Sequence, residues 1–186
     1  MQARRIIVQA LPIILLALIG EMVAGSVFGR MNRILAATPG LIVLVPALLL
    51  MRGAISATMG SRLSSAVHLG LIPGDVPARH PEVRTNINAS LLLGGLMGVV
   101  AGILAHAITL VFGGDSAGVL SLGTIGLTVG FLSGLPMIPA TIQAVRIAFR
   151  RGVDPDNVIG PILLTLGDIT TIVLLFVIAW SLGVLL

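Results

Sequence analysis

Apolar residues run along this chain in five long blocks, at about 6–28, 40–68, 86–112, 119–148 and 158–185, joined by short polar or Gly/Pro-rich stretches. None of the blocks keeps the strict alternation of a strand. Each is as long as the roughly 20 residues a helix needs to cross a bilayer, or longer. Pro39 and Gly40 open the second block, Pro73, Gly74, Pro77 and Pro81 mark the joint after it, and Gly113, Gly114 and Asp115 separate the third from the fourth. Asp154, Pro155, Asp156 and Asn157 open the fifth with acidic and capping residues suited to a helix N-terminus. The first block continues past Glu21 to Phe28 with no small-residue cleavage site, so it reads as a retained helix and not as a signal peptide. The pattern predicts an all-α integral membrane protein with five transmembrane helices.

Composition agrees, with 56% hydrophobic and 10% charged residues, a balance foreign to a soluble domain. All of the basic charge is arginine, and its placement orients the bundle. Arg4 and Arg5 precede the first helix, Arg79 and Arg84 lie between the second and third, and Arg146, Arg150 and Arg151 lie between the fourth and fifth; the opposite side holds Arg30 and Arg33. By the positive-inside rule the N-terminus is cytoplasmic and the C-terminus external. The arginines form no aromatic-interleaved patch, so nucleic acid is not an expected partner. Membrane lipid is. With no cysteine there are no disulfides and no thiolate metal sites, which leaves oxygen or histidine ligands and favours hard cations. The 186 residues read as one membrane domain, 1–186, without a cytosolic regulatory domain.

Small residues recur at every fourth position: Gly94, Gly98 and Gly102 in the third block, Gly126, Gly130 and Gly134 in the fourth, and Gly53, Ala57, Ser61 and Ser65 in the second. Such stripes let helix backbones approach closely. They are read as packing within the chain in preference to a subunit interface.

Asp168 is the most informative residue. It lies eleven or twelve residues into the fifth block, with no other charge between Asp156 and the C-terminus, so at ~1.5 Å per residue it falls near the bilayer midplane. A carboxylate there must face a partner, water or an ion. Thr165 and Thr171 lie three residues to either side and share its face. Pro161, seven residues earlier, frees a backbone carbonyl. Oxygen ligands of this kind suit Mg²⁺ or its hydration shell, but one carboxylate does not make a cage, and a symmetric pair from two subunits does better.

The second block, PALLLMRGAISATMGSRLSS from Pro46 to Ser65, is too polar to face lipid throughout, and Pro46 and Gly53 predict a broken helix. Arg52 needs a counter-charge, and Glu21 and Asp168 are the intramembrane acids available. Asp168 could therefore be half of a structural ion pair, and Glu21 could serve either a pathway or the structure. His106 reads as a hydrogen-bonded packing residue, and Arg62 as a residue that snorkels to the interface. His68 and His80 border a loop and carry little signal.

That second block resembles the PALLxxxGN…SRLS pattern of MgtE-type magnesium transporters, closest to the solute carrier family 41 branch of divalent cation transporters. DPDNVIGPILLTLGDITTIVLL in the fifth resembles the D-P-x-x-V…P-x-x-T-x-x-D-x-x-T element of the same family. The resemblance implies a homodimer of five-helix subunits, or a fused tandem pair, with the second and fifth helices lining a central cation path. Asp168 matches the central ion-binding aspartate, and Thr165 and Thr170 match the neighbouring threonines, whereas the helical face selects Thr171. Gly53, Ala54, Ser56, Thr58, Pro161 and Leu164 are the expected pore-lining positions. Ala54 stands where the family has asparagine, Ser56 where the solute-carrier branch has an acid, and the regulatory and CBS domains of bacterial relatives are missing from this sequence.

The leading expectation is thus Mg²⁺ transport, with Mn²⁺, Co²⁺ or other divalent cations as alternatives, across a prokaryotic plasma membrane and without enzymatic activity. A non-transporting subunit pairing with a paralogue is a second reading, suggested by Ala54 and Ser56. An intramembrane aspartyl protease is a third. It is disfavoured because the first glycine of a GxGD motif is Thr165 here and the chain has no tyrosine.

Overall fold

The computed structural model describes residues 2–151 and 155–184, and the elements in them are all helices: α1 (Gln2–Gly29), α2 (Asn32–Ala37), α3 (Leu41–His68), α4 (Pro81–Val111), α5 (Val119–Leu132), α6 (Gly134–Arg151) and α7 (Pro155–Val184). Among the described residues five spans are long and apolar enough to cross a membrane: α1, α3, α4, the α5–α6 pair and α7. At ~1.5 Å per residue the 28 residues of α3 measure ~42 Å, enough for the hydrocarbon core and both headgroup layers. Helix α4 starts at Pro81, ahead of its apolar block, because proline at the first helical position forfeits nothing and has φ already set. Asp154, the first of the capping residues predicted for the fifth span, lies outside the described residues.

Two expectations about helix continuity are corrected. Helix α3, predicted to be broken, runs unbroken from Leu41 to His68. Pro46 falls just past the first turn, where only the Ile42 carbonyl loses its ladder partner, and Gly53 is held within the helix by packing against α7. The break lies in the fourth span, which reads as one block in the sequence. There α5 ends at Leu132, Ser133 forms a turn and α6 restarts at Gly134. Pro136 has no N–H for the Leu132 carbonyl, and Pro139 none for that of Leu135. The Ser133 N–H bonds to the Val129 carbonyl (2.9 Å) and its hydroxyl to that of Gly130 (3.3 Å), closing the last turn of α5.

The glycine stripes of α4 and α5 meet each other within the chain. A Cβ at Gly94 would strike the Gly130 carbonyl, one at Gly98 the Gly126 carbonyl, and one at Gly102 the carbonyl of Leu122 and Cα of Gly123. Backbones at that distance are open only to glycine. The stripe in α3 is different: Gly53 packs on Leu164, but Ser61 and Ser65 are exposed.

Helix α7 is the hub of the bundle, touching α1, α2, α3, α5 and α6, while α1 joins the rest chiefly through α7. The core is in two parts. One apolar cluster holds Met31, Leu41, Leu44, Leu48, Leu122, Ile125 and Leu175, and the other Met59, Leu63, Val83, Met137, Ile142, Val145 and Leu163. Along α3, the residues between Leu48 and Met59 include Arg52 and Ser56. Along α7, those between Leu163 and Ile172 include Thr165, Asp168, Thr170 and Thr171. The bundle therefore has a polar waist between two greasy ends.

Candidate functional site: an acidic pair at the waist

Close crossings bring the waist residues together. A Cβ at Gly20 of α1 would run into Cγ2 of Thr165, so α1 and α7 cross closely there, with the Thr165 side chain seated against the glycine. One residue further on, Glu21 is the acid that neighbours Asp168. Both groups are half-buried on the lone chain. Two carboxylates placed side by side repel each other, and a cation between them relieves that repulsion. Among the described residues no cluster of three metal-ligating side chains occurs.

Within the chain the partner expected for Asp168 is Arg52, but the ionisable residue beside it is Glu21. Among the described residues Arg52 has no ion-pair partner: its Nε and Nη1 are buried without a hydrogen bond, and the residue is only 1% exposed. Its stem lies against Gly167, where a Cβ would sit 3.4 Å from Arg52 Cγ, but its Nη1 points to Gly94 and Gly134.

The three threonines face different ways. Thr165 is buried against α1, its hydroxyl 3.5 Å from the Ala17 carbonyl. Thr170 faces α6, with its hydroxyl 3.9 Å from Met137 Sδ. Thr171 is buried and donates to the Gly167 carbonyl at 2.7 Å. Thr165 is thus the hydroxyl on the Glu21 side. Pro161 lies inside α7 and is half-buried. In a continuous helix the carbonyl it frees, at residue 157, lies eleven residues from Asp168, ~16 Å along the axis, too far to share an ion with it.

The expected pore-lining positions fall on two faces of α3. Gly53 meets Leu164 of α7, whereas Ala54 and Thr58 line a cleft of about 140 Å³ against α4, with Met59, Arg62 and Ser90. Ser56 is buried, and its hydroxyl has no partner among the described residues. Leu164 is 44% exposed. His106, expected as a packing residue, is hydrogen-bonded through Nδ1 to the Ser116 hydroxyl at 2.8 Å. The break at Ser133, beside Arg52, escaped the reading of the blocks, although the run Ser133-Gly134-Leu135-Pro136 carries its signal.

Comparison with known proteins matches residues 45–178 to the family model MgtE, described as "Divalent cation transporter". This chain belongs to the MgtE family. The matched stretch runs from the start of α3 to the end of the apolar part of α7 and so contains Arg52, Asp168 and all three threonines. Similar proteins include solute carrier family 41 member 3 of Rattus norvegicus, 32% identical over 174 residues (89% of this chain and 36% of that protein). Member 2 of Gallus gallus is 28% identical over 174 residues (89% of this chain and 29% of that protein). Member 2 of Homo sapiens is 28% identical over 144 residues (74% and 24%). This MgtE-family chain thus spans about a third or less of the length of these curated relatives. No solved structure matches it. Glu21 lies outside the residues matched by the family model. It enters the site through the fold and not through the motif.

Proposed function

We propose that this protein carries divalent cations across a membrane, with Mg²⁺ as principal cargo, and that Asp168 with Glu21 forms the binding centre of each subunit. The observation that carries the reading is the close α1–α7 crossing at Gly20 and Thr165, which sets Glu21 beside Asp168 in the polar waist while Nη1 of Arg52 lies by Gly94 and Gly134. Carboxylate oxygens are the ligands hard divalent cations prefer, and Mg²⁺ keeps part of its water shell while bound to one or two of them. Family membership supports the same cargo class.

An acidic pair half-buried on the outside of a lone subunit cannot face hydrocarbon. We therefore place a second copy of the chain, or its equivalent, against α7, so that two Asp168 carboxylates flank the path. Ions would enter from outside and leave to the cytoplasm along α3, in the N-in orientation given by the arginines. A carboxyl pair is also the equipment of an acid–base dyad, so Glu21 removes one objection to a protease. Membership of a transporter family favours cargo binding.

The test is uptake into liposomes loaded with a Mg²⁺ or Mn²⁺ indicator. Wild-type protein admits the ion, whereas Asp168→Asn abolishes uptake while the protein keeps its elution position in detergent. Uptake by Asp168→Asn within twofold of wild type overturns the reading. Absence of uptake by the wild type itself favours a subunit that works only with a paralogue.

A further inference from the structure

The groove between α3 and α4 holds a cleft of about 140 Å³ that the acidic pair does not use. Thr58 and Arg62 border it from α3, and Ser90, only 5% exposed, borders it from α4; Ile55, Ala89 and Leu93 give it apolar walls. Arg62 stands nine residues after Gly53, two and a half helical turns, so it lies on the opposite side of α3 from the contact of Gly53 with Leu164 of α7. The cleft therefore looks away from α7, the helix against which the second copy is placed. Its rim residues Thr58, Arg62 and Leu93 are exposed, and in a bilayer they meet lipid.

Depth makes that arginine unusual. Helix α3 ends at His68, six residues past Arg62, which puts Arg62 ~9 Å from the cytoplasmic end of a helix that spans the hydrocarbon core and both headgroup layers. The Cα–Cβ bond of a helical residue tilts towards the helix N-terminus. For α3 that end is the external one in the N-in orientation, so the stem of Arg62 sets out towards the membrane interior. A guanidinium at this depth calls for an anion, and the two helices bring none to it. Helix α3 contains no acidic residue, and the one acid of α4, Glu82, lies eight residues before Ser90, ~12 Å along the axis. Thr58 donates its hydroxyl proton to the Ala54 carbonyl at 2.7 Å, which leaves the Arg62 guanidinium and the Ser90 hydroxyl as the donors of the cleft. Two donors beside an apolar wall match a phosphate that carries an acyl chain. We propose that the cleft binds one anionic phospholipid of the cytoplasmic leaflet, its phosphate on Arg62 and Ser90 and the start of one chain along Ile55, Ala89 and Leu93. A partner's helix does not fit, because one turn about 10 Å across with a pitch of 5.4 Å fills roughly 420 Å³. Arg79 and Arg84, on the same side of the membrane, attract a net negative headgroup and repel the ammonium of a zwitterionic one. Thr58, expected in the pore, then borders lipid, which it tolerates because its hydroxyl is satisfied within the helix.

The experiment counts lipid bound to purified, delipidated full-length protein in detergent by native mass spectrometry, titrated with dioleoylphosphatidylglycerol or dioleoylphosphatidylcholine. Wild type binds the first phosphatidylglycerol at least tenfold more tightly than phosphatidylcholine, and equal affinities overturn the proposal. Arg62→Gln removes the preference. Ala89→Leu fills the cleft, leaves the arginine in place and weakens phosphatidylglycerol binding about tenfold; it carries the test if Arg62→Gln does not fold. Arg150→Gln removes one charge at the end of α6 and leaves the first binding step within twofold of wild type. Affinity within twofold of wild type in both Arg62→Gln and Ala89→Leu overturns the site, and so does an equal loss in Arg150→Gln, which marks general surface attraction only. Inorganic phosphate that competes with phosphatidylglycerol at equal concentration assigns the cleft to a soluble anion and overturns the lipid. Binding is read here without uptake, so its outcome is independent of the role of Asp168.

Discussion

The seam between α4 and α5 yields the sharpest stability prediction. An ideal Cβ on Gly98 would sit 2.6 Å from the carbonyl carbon of Gly126 and 3.2 Å from the Leu127 nitrogen, with the Gly126 oxygen closer still. Carbon atoms in contact prefer about 3.5–4.0 Å, so Gly98→Ala requires the two helices to part by about 1 Å. The atoms in the way are backbone, and no side chain can rotate to absorb the shift. The opening propagates to the layers above and below, Gly94 on Gly130 and Gly102 on Leu122 and Gly123. A radial gap of 0.5–1 Å forfeits roughly a quarter to a half of each dispersion contact, and overpacking a tight site costs about 1–3 kcal/mol. Helix propensity works the other way, since alanine gains up to ~1 kcal/mol over glycine in a helix interior. Gly25 of α1 isolates that opposing term, because a Cβ there meets nothing within 4 Å. Thermal unfolding in one detergent, followed by the fluorescence of Trp180 or by loss of the monodisperse elution peak, compares the two. Gly25→Ala leaves the midpoint unchanged or raises it, whereas Gly98→Ala lowers it by several degrees. A Gly98→Ala midpoint equal to that of Gly25→Ala would mean that the helices do not touch backbone to backbone, and the seam account would fail.

Two further outcomes follow from particular contacts. Glu21→Gln keeps the shape of the acidic pair but removes one charge. Charge-assisted interactions are worth about 1.5–3 kcal/mol, so Mn²⁺ affinity falls by roughly one to two orders of magnitude; an affinity within twofold of wild type removes Glu21 from the site. At one end of the bundle, Arg146 donates through Nε to the Asp75 carbonyl and through Nη2 to that of Val76 at 2.9 Å, clamping the α3–α4 loop where Val76 has φ of 43°. Arg146→Ala frees those carbonyls, and trypsin then cuts at Arg79 several-fold faster with uptake little changed. An unaltered cleavage rate shows that the loop is held by other contacts.

The spans were readable from the sequence because lipid makes one demand on every residue of a crossing helix, and a twenty-residue apolar run satisfies it visibly. The glycine stripes were readable as intrachain packing for a similar reason, since two stripes of equal period on adjacent hairpin helices can fit together. Prolines misled. Pro46 looks like a break but loses little near a helix start, whereas Pro136 and Pro139 lie close enough together to interrupt the ladder at Ser133. The site was half legible. Asp168 stands out as a lone charge, but which acid or arginine would face it depends on crossings set by Gly20 and Gly167, whose partners sit more than a hundred residues away. Helical-face reasoning alone could not rank Thr165, Thr170 and Thr171, because each faces a different neighbour: α1, α6 and its own preceding turn.

The charge inventory of the waist connects these points. On the described faces of one subunit it holds two acids, Glu21 and Asp168, and one arginine, Arg52. With all three ionised the excess is one negative charge per subunit. Two subunits joined across α7 would therefore present an excess of two, which a single Mg²⁺ or Mn²⁺ neutralises. Without the arginine the excess would be four, and an ion drawn so strongly would leave slowly, because attraction in a poorly solvated site is screened far less than in water. A carrier needs a site that binds and also releases. In such a dimer the two arginines would offset two of the four carboxylate charges and so ease release.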